Sequence, residues 1–457
     1  MPELMRIGCG AGFAGDRFDA AGPVVATLAR HDGPRFLIFE TLAERTLAHA
    51  QRLRLDDPDL GYSPYLERYV EPILKEAFEA GIRIVSNFGA ANPMAAGQRI
   101  RDIALKQGLK GIKIAVVEGD SLRDIVSDDD LLRLPIMEGL VPPSAGLLAA
   151  NAYLGGAPIA EALDQGADVV VTGRCADPAL VVGPAMHTFG WKVGQDDKIA
   201  AATLAGHLIE CGAQITGAYF ADPGFKDVPD LARVGFPIAE ISADLGVTIT
   251  KADGTGGAVT PQTVKEQLLY EVHDPAAYLT PDVTLDLTGV RVRQTGPDRV
   301  SIEGARGHAA PENLKATLSF DGGWLGEAEI SYAGPNALAR AELAVDVLRE
   351  RCAISGLNTP ARFDIIGASS VFDGDNAALR QSLNLAPEGD YRLRAAVNSP
   401  SRDVAQSIAD EVLSLYCSGP AGGAGVRQSV TPRISTASVL VPRSFAEPRV
   451  TILQATL

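Results

Sequence analysis

Cysteine is scarce: the 457-residue chain has five, Cys9, Cys175, Cys211, Cys352 and Cys417, none in a C-x-x-C or C-x-x-H pair. That spacing excludes a zinc ribbon and a disulfide framework and suits a reducing compartment. Positive charge is also in deficit, with Lys+Arg 41 against Asp+Glu 57 and a net charge of −16. Such a surface lacks the basic footprint of a nucleic-acid binder or of a protein held on anionic lipid. No uninterrupted apolar stretch approaches the roughly 18 residues a membrane span needs. The stretch Met1–Ile7 shows no basic region leading into an apolar run, so the expected location is the cytoplasm. The six histidines form no H-E-x-x-H pattern and no serine sits in a G-x-S-x-G elbow, so neither a zinc-peptidase nor a serine-hydrolase site is expected, and no metal site is assigned.

What remains is a globular composition, 46% hydrophobic and 21% charged, with enough length for two or three domains. The first half alternates apolar runs with helical segments: Arg6–Cys9, Arg35–Glu40, Ile82–Ser86, Ile112–Val117 and Asp168–Thr172 read as strands. A helix from Ser63 to Gly81, another after Asn92-Pro93, and Ala157–Gln165 lie between them. The expectation is an α/β N-terminal domain with a parallel sheet over 1–211, a Gly/Pro-rich connecting lobe over 212–281, and an α+β C-terminal domain over 282–457. In the last, Gly322-Gly323 is expected to turn a hairpin between Ala316–Phe320 and Glu327–Tyr332. Ligands of open parallel sheets bind beyond the carboxyl ends of the strands, which directs attention to the loops Gly8–Arg17, Glu40–Glu44, Asn87–Asn92, Glu118–Ser121 and Gly173–Asp177.

Two of these loops, and the stretch Lys251–Gly257 outside them, carry chemistry-bearing patterns. Gly10-Ala-Gly12-Phe-Ala-Gly15 satisfies G-x-G-x-x-G after a strand, with Glu40 about 25 residues on, the arrangement of a dinucleotide fingerprint. Asp16-Arg17 directly after the last glycine opposes that reading, because a carboxylate beside a pyrophosphate is unfavourable; a tight loop presenting Asp16 and Arg17, or a simple turn, stays open. Arg174 and Asp177 in Thr172-Gly-Arg-Cys-Ala-Asp177 stand at a strand end. Arg174 offers a fork for a carboxylate or phosphate, while an Arg174–Asp177 ion pair with Asp177 capping the next helix is the structural alternative. Lys251-Ala-Asp-Gly254-Thr255-Gly256-Gly257 can turn successive amides toward an anion beside a lysine, or can be a flexible turn.

Taken together, RIGCGAGFAGDR, FETLAERT, IVSNFGAANP, VVVTGRCADPAL, ECGAQITG, KADGTGGAV, VKEQLLYEVHDPAAYLTPDV and EISYAGPNALAR resemble the acyclic terpene utilisation family of AtuA-type proteins, in one order along nearly the whole chain. The resemblance implies a role in catabolism of citronellol- and geraniol-like acids and related branched acids. It also marks Gly10, Gly12, Asp16, Arg17, Glu40, Asn87, Asn92, Arg174, Asp177, Glu210, Gln214, Lys251 and Thr255 as family-pattern positions. Longer members look like this chain followed by a ferredoxin-like domain, which implies a separately encoded small partner of that fold here.

The resulting expectation is a cytoplasmic, homo-oligomeric lyase or hydratase acting on a small-molecule carboxylate or acyl-CoA, with no cofactor assigned and CoA entering as part of the substrate where that is a thioester. Asp16 or Glu40 would be the general base, Arg174 with Asp177 the carboxylate clamp, and Lys251 with Gly254, Thr255, Gly256 and Gly257 an anion cradle. Gly10, Gly12, Arg17, Asn87, Asn92 and Gln214 would complete substrate binding. Two rivals stand beside it: an NAD(P)-dependent oxidoreductase using Gly10–Gly15, and a non-catalytic scaffold for the small ferredoxin-like partner.

Overall fold

The apolar runs of the first half become strands whose side chains alternate between two cores. In the computed structural model, which describes residues 3–139, 146–357, 359–368, 370 and 382–455, ten strands form one sheet. They are β1 (Leu4–Ala11), β2 (Arg35–Phe39), β3 (Arg83–Ser86), β4 (Lys113–Glu118), β5 (Val169–Thr172), β6 (Pro237–Ser242), β7 (Val247–Lys251), β8 (Arg291–Gly296), β9 (Arg299–Glu303) and β10 (Arg449–Gln454), in the order β8-β9-β7-β6-β1-β2-β3-β5-β4-β10. The central five, β1-β2-β3-β5-β4, are parallel. Antiparallel strands extend both edges. The sheet is therefore mixed, with its parallel part near the N-terminus as expected.

Period-two alternation sends Phe36, Ile38, Val85, Ala115 and Val170 into one core and Leu37, Phe39, Ile84, Val116 and Val171 into the other. Helices Ala21–Leu28, Leu66–Val70, Leu74–Glu79 and Pro93–Lys106 cover the second core; Ala157–Asp164, Ala179–Phe189 and Asp196–Ile209 cover the first. The single helix expected over 63–81 is two, because Pro72 falls between them and cannot donate into the preceding turn. The helix following β3 and the helix following β5 lie on opposite faces, although β3 and β5 are neighbours. Their loops therefore leave the carboxyl edge, the usual position of a ligand in such sheets, toward opposite faces.

The chain divides into two compact units, 1–140 with 147–319 and 436–457, and 141–146 with 320–435. The expected boundaries at 211/212 and 281/282 do not appear. Residues 212–281 form no separate lobe, since β6 and β7 continue the main sheet beside β1.

In the second unit, the strand portions 320–334 and 424–435 join Ala361–Ile366 and Gly389–Ser399, with helices Ala337–Ile354 and Arg402–Ser418 packed on one face. Among the described residues its connectivity is β-α-β-β-α-β, and numbering these four strands along the chain gives the spatial order 2-3-1-4. This is the ferredoxin-like arrangement, present within the chain itself. Gly322 and Gly323 do not turn a hairpin: the strand Asn313–Gly334 runs straight through them. A Cβ at Gly323 would lie 2.4 Å from the Ser399 carbonyl oxygen, so that glycine answers to a neighbouring backbone. Among the described residues no helix is long and apolar enough to cross a membrane.

Candidate functional site

The carboxyl edge of the parallel strands carries the loops after β2, β3, β4 and β5 side by side. Glu40 follows β2 directly. Its Oε1 accepts the Leu42 N–H at 2.9 Å and the Asn87 Nδ2–H at 2.8 Å. Asn87, after β3 and fully buried, accepts the Thr41 N–H at 2.8 Å through Oδ1. The Asn87 amide thus ties two neighbouring strand ends together. Because both bonds to Glu40 end on Oε1, a proton on this carboxyl sits on Oε2.

Arg174, after β5, is the largest fully buried side chain, at 1% exposure. Its Nη2 donates to Asp177 Oδ1 at 2.5 Å, its Nη1 donates to the Leu42 carbonyl, and its guanidinium lies 4.1 Å from the Tyr153 ring centroid. Its backbone N–H donates to Asp120 Oδ2 at 3.0 Å, and the same oxygen accepts the Asn151 Nδ2–H at 2.8 Å. One guanidinium therefore links the β2 and β5 loops, and its own amide links β5 to β4.

Glu44 opens the helix Glu44–Asp56, accepts the Tyr153 hydroxyl, and pairs with Lys315 Nζ at 3.1 Å. Asp177 keeps 37% of its side chain accessible, Glu44 38% and Lys315 43%. These three are the polar groups of the cluster that meet solvent, above a buried layer of Glu40, Asn87 and Arg174.

The electrostatics divide the two glutamates. Burial, with the Asp177 charge nearby, pushes the Glu40 carboxyl up from 4.5 to about 8, against Arg174 and its two hydrogen bonds. Burial acts on Glu44 in the same sense, but Arg174, the Tyr153 hydroxyl and Lys315 outweigh it and hold its carboxylate at about 2. Burial also raises Asp177, opposed chiefly by Arg174. Near neutrality Glu40 carries a proton and Glu44 a charge, four residues apart. Among the described residues no group of three or more His, Cys, Asp or Glu side chains is placed to hold a metal ion.

Other expected site residues have different employment. Arg174 presents no free fork: its Nη1 and Nη2 already have partners, and its Nε is buried without one. Asn92 caps the helix Pro93–Lys106 through Oδ1, and its Nδ2 donates to the Pro58 and Leu60 carbonyls at 2.9 Å each. Arg17 reaches Asp19 and the Val234 carbonyl.

Asp16 accepts the Gly12 and Arg17 N–H groups at 2.8 Å each, so the amide that would meet a pyrophosphate already serves a carboxylate. Gly10 packs against the Phe39 ring, and Gly12 against the backbone of 211–212. These contacts, rather than a cofactor, explain the glycines, and the loop offers a dinucleotide no cradle. Gln214 lies half-buried on the turn Gly212–Thr216.

The anion cradle is absent as well. The Gly256 and Gly257 amides donate to the Arg233 and Pro229 carbonyls at 2.8 Å each, Lys251 Nζ donates to the Thr255 carbonyl at 2.7 Å, and the Thr255 hydroxyl bonds Ala252. Gly254 takes a positive φ of 68° at the tip of this closed turn.

Residues that the sequence did not single out complete the cluster. Asp120 lies in a loop already under suspicion, and Glu44 ends another; Tyr153 and Lys315 had no local signal. The tightness of the glycine loop gives a direct expectation. A Cβ at Gly12 would stand 2.3 Å from the carbonyl carbon of Cys211 and from the nitrogen of Gly212. Gly12→Ala should therefore cost about 1–3 kcal/mol by overpacking, read as a lower midpoint in thermal unfolding. An unchanged midpoint would mean that the 211–212 turn yields freely.

The sequence matches the family described as acyclic terpene utilisation family protein AtuA over residues 5–452. The chain belongs to this family. Membership ties the AtuA-type chain to acyclic terpene utilisation and covers both compact units. No curated protein and no solved structure matches it, so the chemistry of this AtuA-type protein has to be argued from its own cluster of Glu40, Glu44, Arg174 and Asp177.

Proposed function

We propose that this AtuA-type chain is an enzyme of branched-chain or terpenoid acid catabolism, a lyase or hydratase acting on a carboxylate or its CoA thioester. The observation that carries the proposal is the pair Glu40 and Asp177, two carboxyls beside one buried arginine: Glu40 is buried and pushed up to about 8, while Asp177 is paired with Arg174 and meets solvent. Carboxyls separated in this way divide acid and base work between them. Addition or elimination of water beside a carbonyl needs one group to remove a proton and another to return one.

In this reading Asp177, accessible and aligned by Arg174, takes the proton from the carbon next to the carbonyl. Glu40, protonated at neutral pH, supplies the proton that the leaving or entering oxygen requires. Lys315, paired with Glu44 at the accessible rim, receives the carboxylate or thioester oxygen as charge develops on it. Arg174 is a positioning residue. CoA is part of the substrate and no further cofactor is invoked.

The test is hydrogen exchange at the α-carbon of short branched acyl-CoA thioesters in D2O, read by mass spectrometry, beside thermal-shift titrations with CoA, NAD and NADP. Exchange by the wild type and its loss in Asp177→Asn are expected. Stabilisation by NAD or NADP alone, with no exchange in any thioester or free acid tried, would overturn the proposal in favour of the oxidoreductase.

A further inference from the structure

A second buried titratable pair lies on the helix Asp196–Ile209 and just beyond it. His207 is 1% exposed; its Nε2 lies 3.2 Å from the Leu268 carbonyl oxygen and its Nδ1 lies 3.2 Å from Glu210 Oε1. A carbonyl only accepts, so Nε2 carries a hydrogen. In a neutral ring Nδ1 is then a lone pair, and its bond to Glu210 requires the proton on Oε1. The other form, imidazolium beside carboxylate, differs by transfer of that one proton. The pair holds it in either form and stays net neutral.

Glu210 Oε2 is buried without a hydrogen-bond partner. A bare buried oxygen disfavours the carboxylate more than the neutral acid, so the proton rests on Glu210. Burial, with the charges of Asp177 and Glu271, drives Glu210 far above the carboxylate range, and burial lowers His207. Both directions agree with the resting form read from the bonds.

The pair adjoins the carboxyl edge. Gly206, which precedes His207, packs so closely on Pro178, which follows Asp177, that a Cβ on it would stand 2.7 Å from the Pro178 Cα. The titratable and charged groups that face the pair are Asp177 and Arg174 from the β5 loop, Glu271 after the helix Pro261–Leu269, Cys211, and Tyr278, whose ring lies 5.2 Å from the imidazole.

We propose that His207 and Glu210 share one proton whose place is set by Asp177: it stays on Glu210 while Asp177 is ionised and passes to His207 when Asp177 is neutralised. The inference deepens the reading of Asp177 as proton acceptor and rests on it. When the substrate C–H bond breaks and its proton goes to Asp177, the negative charge retaining the Glu210 proton disappears. The Glu210 Oε1–H bond then breaks as the His207 Nδ1–H bond forms. The substrate gains one negative charge and Asp177 loses one, while the pair separates into imidazolium and carboxylate without exchanging a proton with solvent. Glu210 lies one helical turn beyond Gly206, on the face that packs against Pro178, while His207 is about 100° round the helix. Asp177 is the leading charge acting on Glu210, whereas on His207 Glu271 comes before it, which gives the transfer its direction.

The experiment is nitrogen NMR of the full chain labelled with 15N-histidine, the His207 signals being assigned by their loss in His207→Gln. The expected wild-type spectrum shows Nε2 protonated and Nδ1 unprotonated, with no titration between about pH 5 and 8, where an ordinary histidine changes charge. Asp177→Asn should move the Nδ1 signal toward the protonated value, a shift that a structural histidine would not give. A His207 that titrates freely in the wild type, or a spectrum unchanged by Asp177→Asn, overturns the proposal.

Glu210→Gln provides a second measurement, since its amide still donates to Nδ1. An infrared difference spectrum against the wild type should show the loss of one protonated-carboxyl band, and the absence of that loss overturns the proposal whatever Asp177→Asn does to folding. If both spectroscopic results hold but no thioester or free acid exchanges its α-hydrogen, the proposed reaction fails while the proton-sharing pair stands.

Discussion

Replacing Arg174 with Ala is expected to lower the stability of the chain by about 3–5 kcal/mol, the usual consequence of removing one partner from a buried ionic network. The guanidinium is 1% exposed, stacks on Tyr153, and joins the Leu42 carbonyl to Asp177. Without it Asp177 loses its counter-charge, the Leu42 carbonyl loses its donor, and a volume under Tyr153 is left unfilled. Arg174→Lys keeps the charge but not the planar fork, so it restores at most one of the two links and should fall between Ala and wild type. The carboxylate clamp expected from the sequence would make Arg174→Lys costly to activity and cheap in stability; burial of the fork reverses the order of those effects. Thermal and urea unfolding measure this. A loss below about 1 kcal/mol for Arg174→Ala would show that the loops after β2 and β5 do not depend on it.

The second large effect depends on pH. Glu40 is raised from 4.5 to about 8, and since a tenfold change in proton affinity is worth about 1.4 kcal/mol, the difference approaches roughly 4–5 kcal/mol. The sign follows from proton counting. Below the unfolded value of 4.5 both states hold the proton and Glu40 is neutral in its effect. Between 4.5 and about 8 the folded state alone holds it, so stability falls as pH rises, and above 8 the full penalty is present.

Glu40→Gln removes the ionisation but keeps Oε1 to accept from Leu42 and Asn87. It should match the wild type near pH 5 and exceed it by several kcal/mol near pH 9, measured by urea unfolding at the two pH values. Equal pH dependence in the two proteins would mean that Glu40 is not held neutral in the fold. In the α-hydrogen exchange assay, which needs only Asp177, the same variant should still exchange, while addition or elimination of water by it should be lost at both pH values, which separates the stability effect from the proposed acid role.

The parallel part of the fold was legible in the sequence because β-rich apolar runs ending in Glu40, Asn87 and Thr172 state both the strand and the end at which it meets solvent. Helix starts were legible where the capping chemistry is local, as at Asn92-Pro93. The Gly/Pro-rich stretch after 211 misled because glycine density reads as looseness. In the structure β6 and β7 within it are paired strands, and Gly256 is tightly enclosed: a Cβ there would stand 2.0 Å from the Asp230 carbonyl oxygen. Gly322-Gly323 misled in the same way, since a glycine needed for close approach of another backbone carries the same letter as one needed for a turn.

Sequence by itself determined which side chains stand at the carboxyl edge of the sheet, because each is fixed by the strand immediately before it. Only the tertiary structure decided what those side chains do there. Whether Arg174 is a free clamp or a buried link depends on a carbonyl 132 residues away. Whether Glu44 is charged depends on Arg174, Tyr153 and Lys315, and whether Glu40 is neutral depends on its burial and on Asp177, all brought in from segments distant in the chain. Burial and charge act through space over a few ångströms, and the order of residues along the chain does not contain those distances.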